Sequence, residues 1–239
     1  MKIDAITLFP EMFAPMEHSI MGRAQKSGVL QFRTIFLRDY AINDYGQVDD
    51  KPFGGEPGMV LRPEPLAKAI DATEARSHGG KVIHLCADGQ PFTHATAQAL
   101  VQEQHLVFVC GHYKGIDQRI RDSRIDLEIS IGDYVVSGGE LPAMVVIDAI
   151  VRLIPGVLND LDSALTDSHA QTALGWPVYT RPEIFEENAV PPILLSGHHK
   201  KISEWQRQQS LLRTQTRRPD LFEKMELTRE DHRILKTIY

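Results

Sequence analysis

The chain has 239 residues, of which 42% are apolar and 24% charged, and its formal net charge is −6. This composition is ordinary for a globular protein with a real core, and it excludes a membrane protein because no apolar run approaches the roughly 20 residues that a spanning helix needs. The two cysteines form no CxxC motif and show no zinc-ligand spacing. The first residues lack a signal-peptide pattern, so we expect a cytoplasmic protein without a membrane partner.

Apolar runs alternate with helical patterns over the first 158 residues. Short apolar runs typical of buried strands occupy 2–9, 30–37, 81–86, 106–111 and 127–132. Helical patterns, several of them bounded by proline or glycine, occupy 10–28, 63–80, 93–104, 115–126 and 140–156. This alternation predicts an α/β domain over residues 1–158, with a largely parallel sheet and helices on both faces.

The pattern changes in the last third of the chain. Residues 159–175 are polar and show no sustained period, which predicts a flexible linker. Residues 176–239 carry helix signals: Ser203 is a candidate N-cap, and Thr228 with Asp231 forms a candidate capping box. The sequence therefore predicts a second domain that is small and all-helical.

Three predicted strands run into glycine-bearing loops, "HLCADG" (84–89), "VCGHYKG" (109–115) and "ISIGDYVVSGG" (129–139). In parallel α/β proteins ligands bind at the carboxyl ends of strands, where glycine lets the backbone approach them closely. The chain has no GxGxxG motif and no P-loop motif, which argues against a Rossmann dinucleotide site and excludes a P-loop NTPase. The apolar side chains of these loops favour a flat, hydrogen-bonding group such as adenine.

A fourth loop, "VDDKPFGGEPGMVL" (48–61), contains three glycines and two prolines. This composition predicts an extended segment that is neither helix nor strand. A surface turn and a ligand-binding loop remain equally open for it.

Charge is unevenly distributed along the chain. Residues 1–180 hold 15 basic and 23 acidic side chains, whereas residues 181–239 hold 11 and 9. Between His198 and Arg218, six basic residues face one acid. Such a run is either a solvated face or an anion-binding surface. Arg152 stands out within an otherwise apolar helix, where a charge is costly unless it is paired or used. Asp167 lies in the polar linker, where an aspartate is usually a solvated loop residue.

Several motifs together resemble one known family. They are "LFPEMF", "VDDKPFGGEPGM", "CGHYKGID", "SIGDYVVSGGELPAM", "RLIPGVL" and "YTRPEIFE…VPPILLSGHH", in this order along the chain. The chain resembles the bacterial tRNA (guanine-N1)-methyltransferases, the TrmD family of the SPOUT superfamily. The resemblance implies a SPOUT-type parallel sheet with a deep trefoil knot in the first domain, and S-adenosylmethionine bound in that knot.

The resemblance also implies a set of site residues. The implied cofactor contacts are Leu85, Gly89, Gly111, Tyr113, Gly115, Ile131, Gly132, Asp133, Tyr134, Val135, Val136, Gly138, Gly139 and Pro142. The amides of Ile131, Tyr134 and Val136 are expected to meet the polar edge of the adenine. The expected substrate contacts are Gly55, Pro57, Gly58, Lys200, Lys201, Arg217 and Arg218.

The implied reaction is transfer of a methyl group to N1 of the guanine at tRNA position 37. Guanine N1 is a poor nucleophile until it loses its proton, and a carboxylate can accept that proton. In the family's pattern this base corresponds to Asp167, and an arginine corresponding to Arg152 stabilises the charge on guanine O6. No metal is expected. The family also implies a homodimer whose linker reaches the partner's cofactor.

The chain departs from the family's usual residues at three positions: it has Lys114 for glutamate, Ala87 for proline, and His84 where tyrosine is common. Lys114 places a positive charge near a sulfonium ligand, which is unfavourable at short range. Two alternatives remain: a SPOUT ribose 2′-O-methyltransferase, and an RNA-binding relative without activity.

Overall fold

A computed structural model describes residues 1–158, 168–169 and 173–236. The chain divides into two compact units, Met1–Asn159 and Asp160–Tyr239. In the described ranges no helix has both the length and the apolar character needed to cross a membrane.

The first unit is built on a parallel sheet of five strands in the order β2-β1-β6-β5-β7. Its strands are β1 (Lys2–Thr7), β2 (Gln31–Phe36), β5 (Lys81–Pro91), β6 (His105–Cys110) and β7 (Leu127–Ser130). Strand β1 lies between β2 and β6, with Ile3 opposite both Phe32 and Leu106. The prediction of a largely parallel sheet is confirmed, because every pairing within this sheet is parallel.

Helices cover both faces of this sheet, as predicted. They are α1 (Ser19–Lys26), α2 (Pro63–Asp71), α3 (His94–Leu100), α4 (Gln118–Arg124) and α5 (Glu140–Val151). Alternate strand residues point to opposite faces. One face, which includes Ile83 and Phe108, therefore packs in a cluster with α1, α3 and α5, whereas the other, which includes Val82, packs with α2 and α4.

The prediction of one helix over 10–28 is wrong. Residues Pro10–Glu17 form a 3-10 helix, and α1 begins separately at Ser19. Pro15 lies inside the first segment and has no N–H to donate, so a continuous α-helix is disfavoured there. Ser19 starts α1 with a φ of +52°, which marks the break.

Strand β5 continues past Cys86, where the sequence predicted its end. It pairs with β7 as far as Leu85, and pairing resumes at Gln90. Residues 86–89 are looped out between these points. A Cβ on Gly89 would lie 2.6 Å from the backbone nitrogen of Ile129, so only glycine allows the two strands to approach here.

The ends of the glycine-rich loop, residues 48–61, pair with each other. Strand β3 (Asp49–Asp50) is antiparallel to β4 (Val60–Leu61). The prediction that residues 48–61 form neither helix nor strand is therefore wrong at both ends, because Asp49–Asp50 and Val60–Leu61 pair with each other. Between them Gly54, Gly55 and Gly58 have positive φ angles of 92°, 79° and 108°, which favour glycine.

The second unit contains strands as well as helices, so the prediction of an all-helical domain is wrong. Strands β8 (Ile184–Phe185) and β9 (Asn188–Ala189) form a hairpin. Its two turn residues, Glu186 and Glu187, both have positive φ, a conformation that two glutamates do not signal in a sequence. The helices are α6 (Pro192–Leu195), α7 (His199–Arg217), α8 (Pro219–Phe222) and α9 (Arg229–Lys236).

Only one of the two predicted helix starts is confirmed. Helix α7 begins at His199, so Ser203 is an interior residue and not an N-cap. The hydrogen bond from the Ile202 N–H to the His198 carbonyl closes a turn before Ser203 is reached. At α9 the predicted capping box is present, because the Asp231 N–H donates to Thr228 Oγ1 at 3.1 Å and the Thr228 N–H donates to Asp231 Oδ2 at 2.9 Å.

Candidate active site

A cavity of about 270 Å³ lies at the carboxyl ends of β5, β6 and β7. Its walls are the looped-out residues of β5, the loop after β6 and the loop after β7. Twelve of the fourteen predicted cofactor residues line it: Leu85, Gly111, Tyr113, Gly115, Ile131, Gly132, Tyr134, Val135, Val136, Gly138, Gly139 and Pro142. The structure thus brings together residues from three separate loops.

The loop after β7 returns across the end of β6, two strands away in the sheet. The Gly139 N–H donates to the Gly111 carbonyl at 2.9 Å, and His112 forms an antiparallel bridge with Gly138. A Cβ on Gly139 would lie 2.6 Å from Cys110 Cα. Glycine is therefore required for the returning loop to lie this close to β6.

Two predicted cofactor residues do not line the cavity. Gly89 lies at the crossing of β5 and β7, where it permits the approach of the two backbones. Asp133 is an exposed residue of the loop after β7. The family resemblance brought both into the prediction; in the structure Gly89 serves the packing of the two strands, and Asp133 is exposed.

The mouth of the cavity exposes apolar side chains. Tyr113, Tyr134 and Val135 are 54%, 57% and 88% exposed. The Tyr134 N–H donates to the Gly132 carbonyl at 2.9 Å, so in this conformation that amide is engaged within its own loop and not directed to a ligand. The expected contact of the Tyr134 amide with adenine stays a prediction, and it requires this amide to leave the Gly132 carbonyl.

Six charged or titratable residues of the lining were not predicted as cofactor contacts: His84, Cys86, Asp88, His112, Lys114 and Arg121. Arg121, on α4, donates through Nη2 to Asp88 at 2.7 Å and through Nε to Glu128 at 2.5 Å. The hydrogen bond to Glu128 is the main reason that the pKa of Arg121 is raised. Arg121 thus ties the looped-out segment of β5 to β7. Its position in a charged helix gave no signal of this role.

Two of the family departures, His84 and Lys114, have polar partners in the structure. His84 is buried, its Nδ1 lies 3.2 Å from the Val109 carbonyl, and burial lowers its pKa. Lys114 is half-exposed, with Nζ 3.8 Å from Glu56 Oε2 in the glycine-rich loop. The Lys114 charge therefore has a carboxylate beside it. The third departure, Ala87, lies in the looped-out segment and lines the cavity.

The glycine-rich loop rests on the loop after β6 through backbone hydrogen bonds. The Lys114 N–H donates to the Met59 carbonyl and the Leu61 N–H donates to the Gly115 carbonyl, each at 3.0 Å. Gly55 and Gly58 are exposed next to this junction in sequence, as is Pro57. A predicted substrate loop is thereby attached to a predicted cofactor loop.

Of the two predicted catalytic residues, the structure describes Arg152 and not Asp167. Arg152 is the half-buried C-cap of α5, where its N–H donates to the Asp148 carbonyl at 3.2 Å. Asp167 lies outside the described residues. The helix that carries Arg152 begins directly after the Gly138–Gly139 pair that lines the cavity.

Three of the four basic residues predicted to contact tRNA are exposed. Lys200, Lys201 and Arg217 are exposed, whereas Arg218 donates to both oxygens of Asp220, at 2.8 and 2.6 Å. Lys201 also lines a shallow cavity of about 580 Å³ with Trp205 and other residues of α7 and α9. Arg218 is therefore the least available of the four for an outside anion.

Comparison with known proteins identifies the family. The model of the tRNA (guanine-1)-methyltransferase TrmD family matches residues 1–224. The chain belongs to this family. It is 53% identical to a tRNA (guanine-N(1)-)-methyltransferase of Staphylococcus carnosus, with 99% of this chain and 96% of that protein covered. A protein of the same name from Desulforamulus reducens is 52% identical, with 98% and 94% covered, and one from Staphylococcus epidermidis is 51% identical, with 99% and 97% covered.

Membership in the TrmD family changes how the loops at the cavity are interpreted. A methyltransferase needs a methyl donor. In the first unit, most of the residues that the family resemblance implies as cofactor contacts line the cavity at the ends of β5, β6 and β7. The basic α7 lies within the part of the chain that the TrmD model matches. Both units are therefore part of the family's pattern.

Proposed function

We propose that the protein transfers a methyl group from S-adenosylmethionine to N1 of the guanine at position 37 of tRNA. The observation that carries this proposal is the cavity formed by the three loops, together with relatives named tRNA (guanine-N(1)-)-methyltransferase over nearly the whole chain. The cytoplasm, which contains the tRNA, is the proposed compartment.

The residues of the cavity fit S-adenosylmethionine. Its volume of about 270 Å³ is close to the lower end, about 300 Å³, of pockets that hold small molecules. The wall from Ile131 to Val136 offers apolar surface for an adenine, and the amides of Ile131 and Val136 are the proposed donors to its polar edge. Asp88 supplies a carboxylate in the lining, and Glu56 beside Lys114 offsets the lysine charge.

Bound S-adenosylmethionine supplies an activated methyl group on a sulfonium. The protein's own task is then to orient guanine N1 and to remove its proton. Asp167 is the proposed base, because a carboxylate within hydrogen-bond reach can accept that proton. Arg152 is the proposed stabiliser of the negative charge on guanine O6, since a guanidinium stays charged and donates in a fork.

The proposed tRNA contacts come from both units. Gly55, Pro57 and Gly58 belong to the loop that rests on the cofactor loop, and the basic side chains Lys200, Lys201 and Arg217 are the proposed phosphate contacts. Arg218 contributes only if it releases Asp220. The proposed domains are a catalytic domain (1–158), a linker (159–175) and a tRNA-binding domain (176–239).

We propose a trefoil knot and a homodimer as well. The return of the loop after β7 across the end of β6, held by the hydrogen bond from Gly139 to Gly111, supports the knot. Leu141 and Val145 are about half exposed and lie one turn apart on α5. This apolar stripe supports pairing through α5 in a two-fold interface, with the linker of one chain reaching the other's cofactor.

The experiment is methyl transfer from labelled S-adenosylmethionine to tRNA transcripts that differ only at position 37. We expect label in the transcript with guanine 37, recovered as 1-methylguanosine after digestion, and none in the matched adenine 37 transcript. Label recovered as 2′-O-methyl nucleoside would support the ribose methyltransferase instead. Binding of tRNA without any transfer would support the inactive relative.

A further inference from the structure

One carboxylate, that of Glu140, joins three segments beside the cavity. Glu140 is the first residue of α5 and is fully buried. Its Oε1 accepts a hydrogen bond from Thr7 Oγ1 at 2.6 Å, and His112 Nε2 lies 2.9 Å from Oε1 and 2.8 Å from Oε2. Thr7 ends β1 and His112 belongs to the loop after β6, so both contacts cross between distant parts of the chain.

The surroundings keep this carboxylate charged. Burial acts to raise the pKa of Glu140, but the hydrogen bonds from His112 and Thr7 outweigh it and hold the pKa below its ordinary value. The Thr7 hydroxyl oxygen in turn accepts from the Phe9 N–H at 2.9 Å. The rings of Phe9 and Tyr113 flank the His112 ring, with centroids 5.0 and 6.1 Å away.

The returning loop packs directly on this group. A Cβ on Gly138 would overlap the His112 ring and lie 2.6 Å from Glu140 Oε2. Gly138 and His112 both line the cavity, whereas Glu140 does not. The carboxylate is thus behind the wall of the cavity, at the point where the loop after β7 meets the loop after β6.

We propose that Glu140 is a positioning residue that holds the loop 130–139 against the loop 111–115 by fixing His112 and Thr7. This inference rests on the proposed function, because it assigns the loops to S-adenosylmethionine. Replacing the carboxylate with an amide leaves one acceptor oxygen for the two donors, Thr7 Oγ1 and His112 Nε2, and turns an NH2 group towards one of them. A donor that loses its acceptor in this way is costly to leave unpaired. The loop then separates from His112, and the cavity loses its shape without losing a ligand contact.

The test compares Glu140→Gln, which keeps the size of the side chain, with Asp4→Asn as the matched control. Asp4 is also a fully buried carboxylate bonded to a histidine, with His105 Nε2 2.9 Å from Oδ2, but it does not line or adjoin the cavity. For each full-length variant, calorimetry gives the dissociation constant for S-adenosylmethionine, and thermal unfolding gives the stability.

We expect Glu140→Gln to weaken S-adenosylmethionine binding at least about tenfold, equivalent to about 1.4 kcal/mol, and Asp4→Asn to change it less than about twofold at a comparable loss of thermal stability. In steady state, Glu140→Gln should raise KM for the cofactor more than it lowers kcat. Equal effects of the two variants on binding, or unchanged binding in Glu140→Gln, would overturn the proposal.

A second readout separates this inference from the proposed function. If wild-type protein fails to bind S-adenosylmethionine, the proposed function is wrong, and hydrogen exchange of the ligand-free protein still tests the role of Glu140. Amides of 131–139 should then exchange faster in Glu140→Gln than in Asp4→Asn. Equal hydrogen exchange of these amides in the two variants would overturn the proposed role of Glu140.

Discussion

The two units of the chain are stabilised in different ways. In the first, long rows of apolar side chains are buried on both faces of the sheet. In the described part of the second, the buried side chains are three apolar and three polar: Ala173, Leu211, Ile234, Ser210, Thr214 and Asp231. The buried polar groups there make specific hydrogen bonds, such as that from Ser210 Oγ to the Leu174 carbonyl at 2.6 Å.

This difference indicates a division of work. A sheet that is packed with apolar side chains on both faces is hard to deform, which suits loops that must hold a small ligand in one arrangement. A unit with few buried apolar groups keeps more of its side chains at the surface, which suits contact with a large, charged partner. Four predictions test this contrast, from the largest effect to the smallest.

The largest effect is expected inside the first unit. Gly139→Val should abolish binding of S-adenosylmethionine, because a Cβ at this position would lie 2.6 Å from Cys110 Cα and 2.9 Å from the Gly111 nitrogen. Asp133→Val, on the same loop but exposed and outside the lining, is the matched control and should bind normally. Calorimetry checks both. Normal binding by Gly139→Val would show that the loop does not shape the site.

The next effect belongs to the second unit. Replacing Lys200, Lys201 and Arg217 with alanine should weaken tRNA binding strongly and flatten the dependence of log K on log salt by about 2–3 units, since three phosphate contacts are lost. Binding of S-adenosylmethionine should not change.

The control for this variant replaces three exposed basic residues of the first unit, Arg23, Lys26 and Lys81. It removes the same charge and should leave the salt slope nearly unchanged. Equal slopes for the two variants would mean that only overall charge matters, and the proposed role of α7 would be wrong.

A smaller effect concerns acid stability of the second unit. The hydrogen bond from Arg207 lowers the pKa of Asp231 to about 2. Because the folded pKa lies below the unfolded value, about 3.9, the ion pair contributes its full stability above that value and loses it as the pH falls towards 2. Asp231→Asn should lower stability at neutral pH and reduce the loss of stability over this acid range.

Both tryptophans of the chain, Trp176 and Trp205, lie in the second unit, so tryptophan fluorescence during urea unfolding reports on it. Asp220→Asn is the control, because Asp220 also pairs with an arginine but is exposed. A surface pair contributes little, so this variant should behave like wild type. If the stability of wild type and of Asp231→Asn fell in the same way with pH, the role assigned to the Arg207–Asp231 ion pair would be wrong.

The smallest effect is expected at the pair of Lys114 and Glu56. Lys114→Glu places two carboxylates together and should raise KM for tRNA about two- to fivefold, the range of an exposed ion pair. The exchanged variant Lys114→Glu with Glu56→Lys should return towards wild type, and Lys114→Met should fall between them. If the two substitutions raised KM for tRNA additively in the exchanged variant, Lys114 and Glu56 would not act as an ion pair.

The sequence predicted the sheet well and the strand irregularities poorly. Runs such as 106–111 are apolar throughout, which is typical of a strand covered on both faces. The looped-out residues 86–89 of β5 could not be predicted in this way, because they depend on the register with β7. The hairpin at Glu186 and Glu187 was missed for a related reason, since its conformation is set by the pairing of β8 with β9 and not by turn residues.

The cavity was predicted through its glycines and apolar side chains, which are local signals. The carboxylate behind it was not. Glu140 and Thr7 are separated by 133 positions in the chain, and neither spacing nor periodicity relates residues that far apart. Arg121 was missed likewise, because its contacts with Asp88 and Glu128 exist only once β5 and β7 are paired.

The backbone junction of the glycine-rich loop with the loop after β6 has a thermodynamic consequence. A ligand that orders Tyr113 and Gly115 also restrains Met59 and Leu61, because the two loops share hydrogen bonds at 3.0 Å. If the two loops hold the methyl donor and the tRNA guanine as proposed, the second ligand meets a loop whose entropy is already reduced, and we expect it to bind more tightly. Linkage makes this gain reciprocal: whatever factor the methyl donor adds to the affinity for guanosine, guanosine must add to the affinity for the methyl donor.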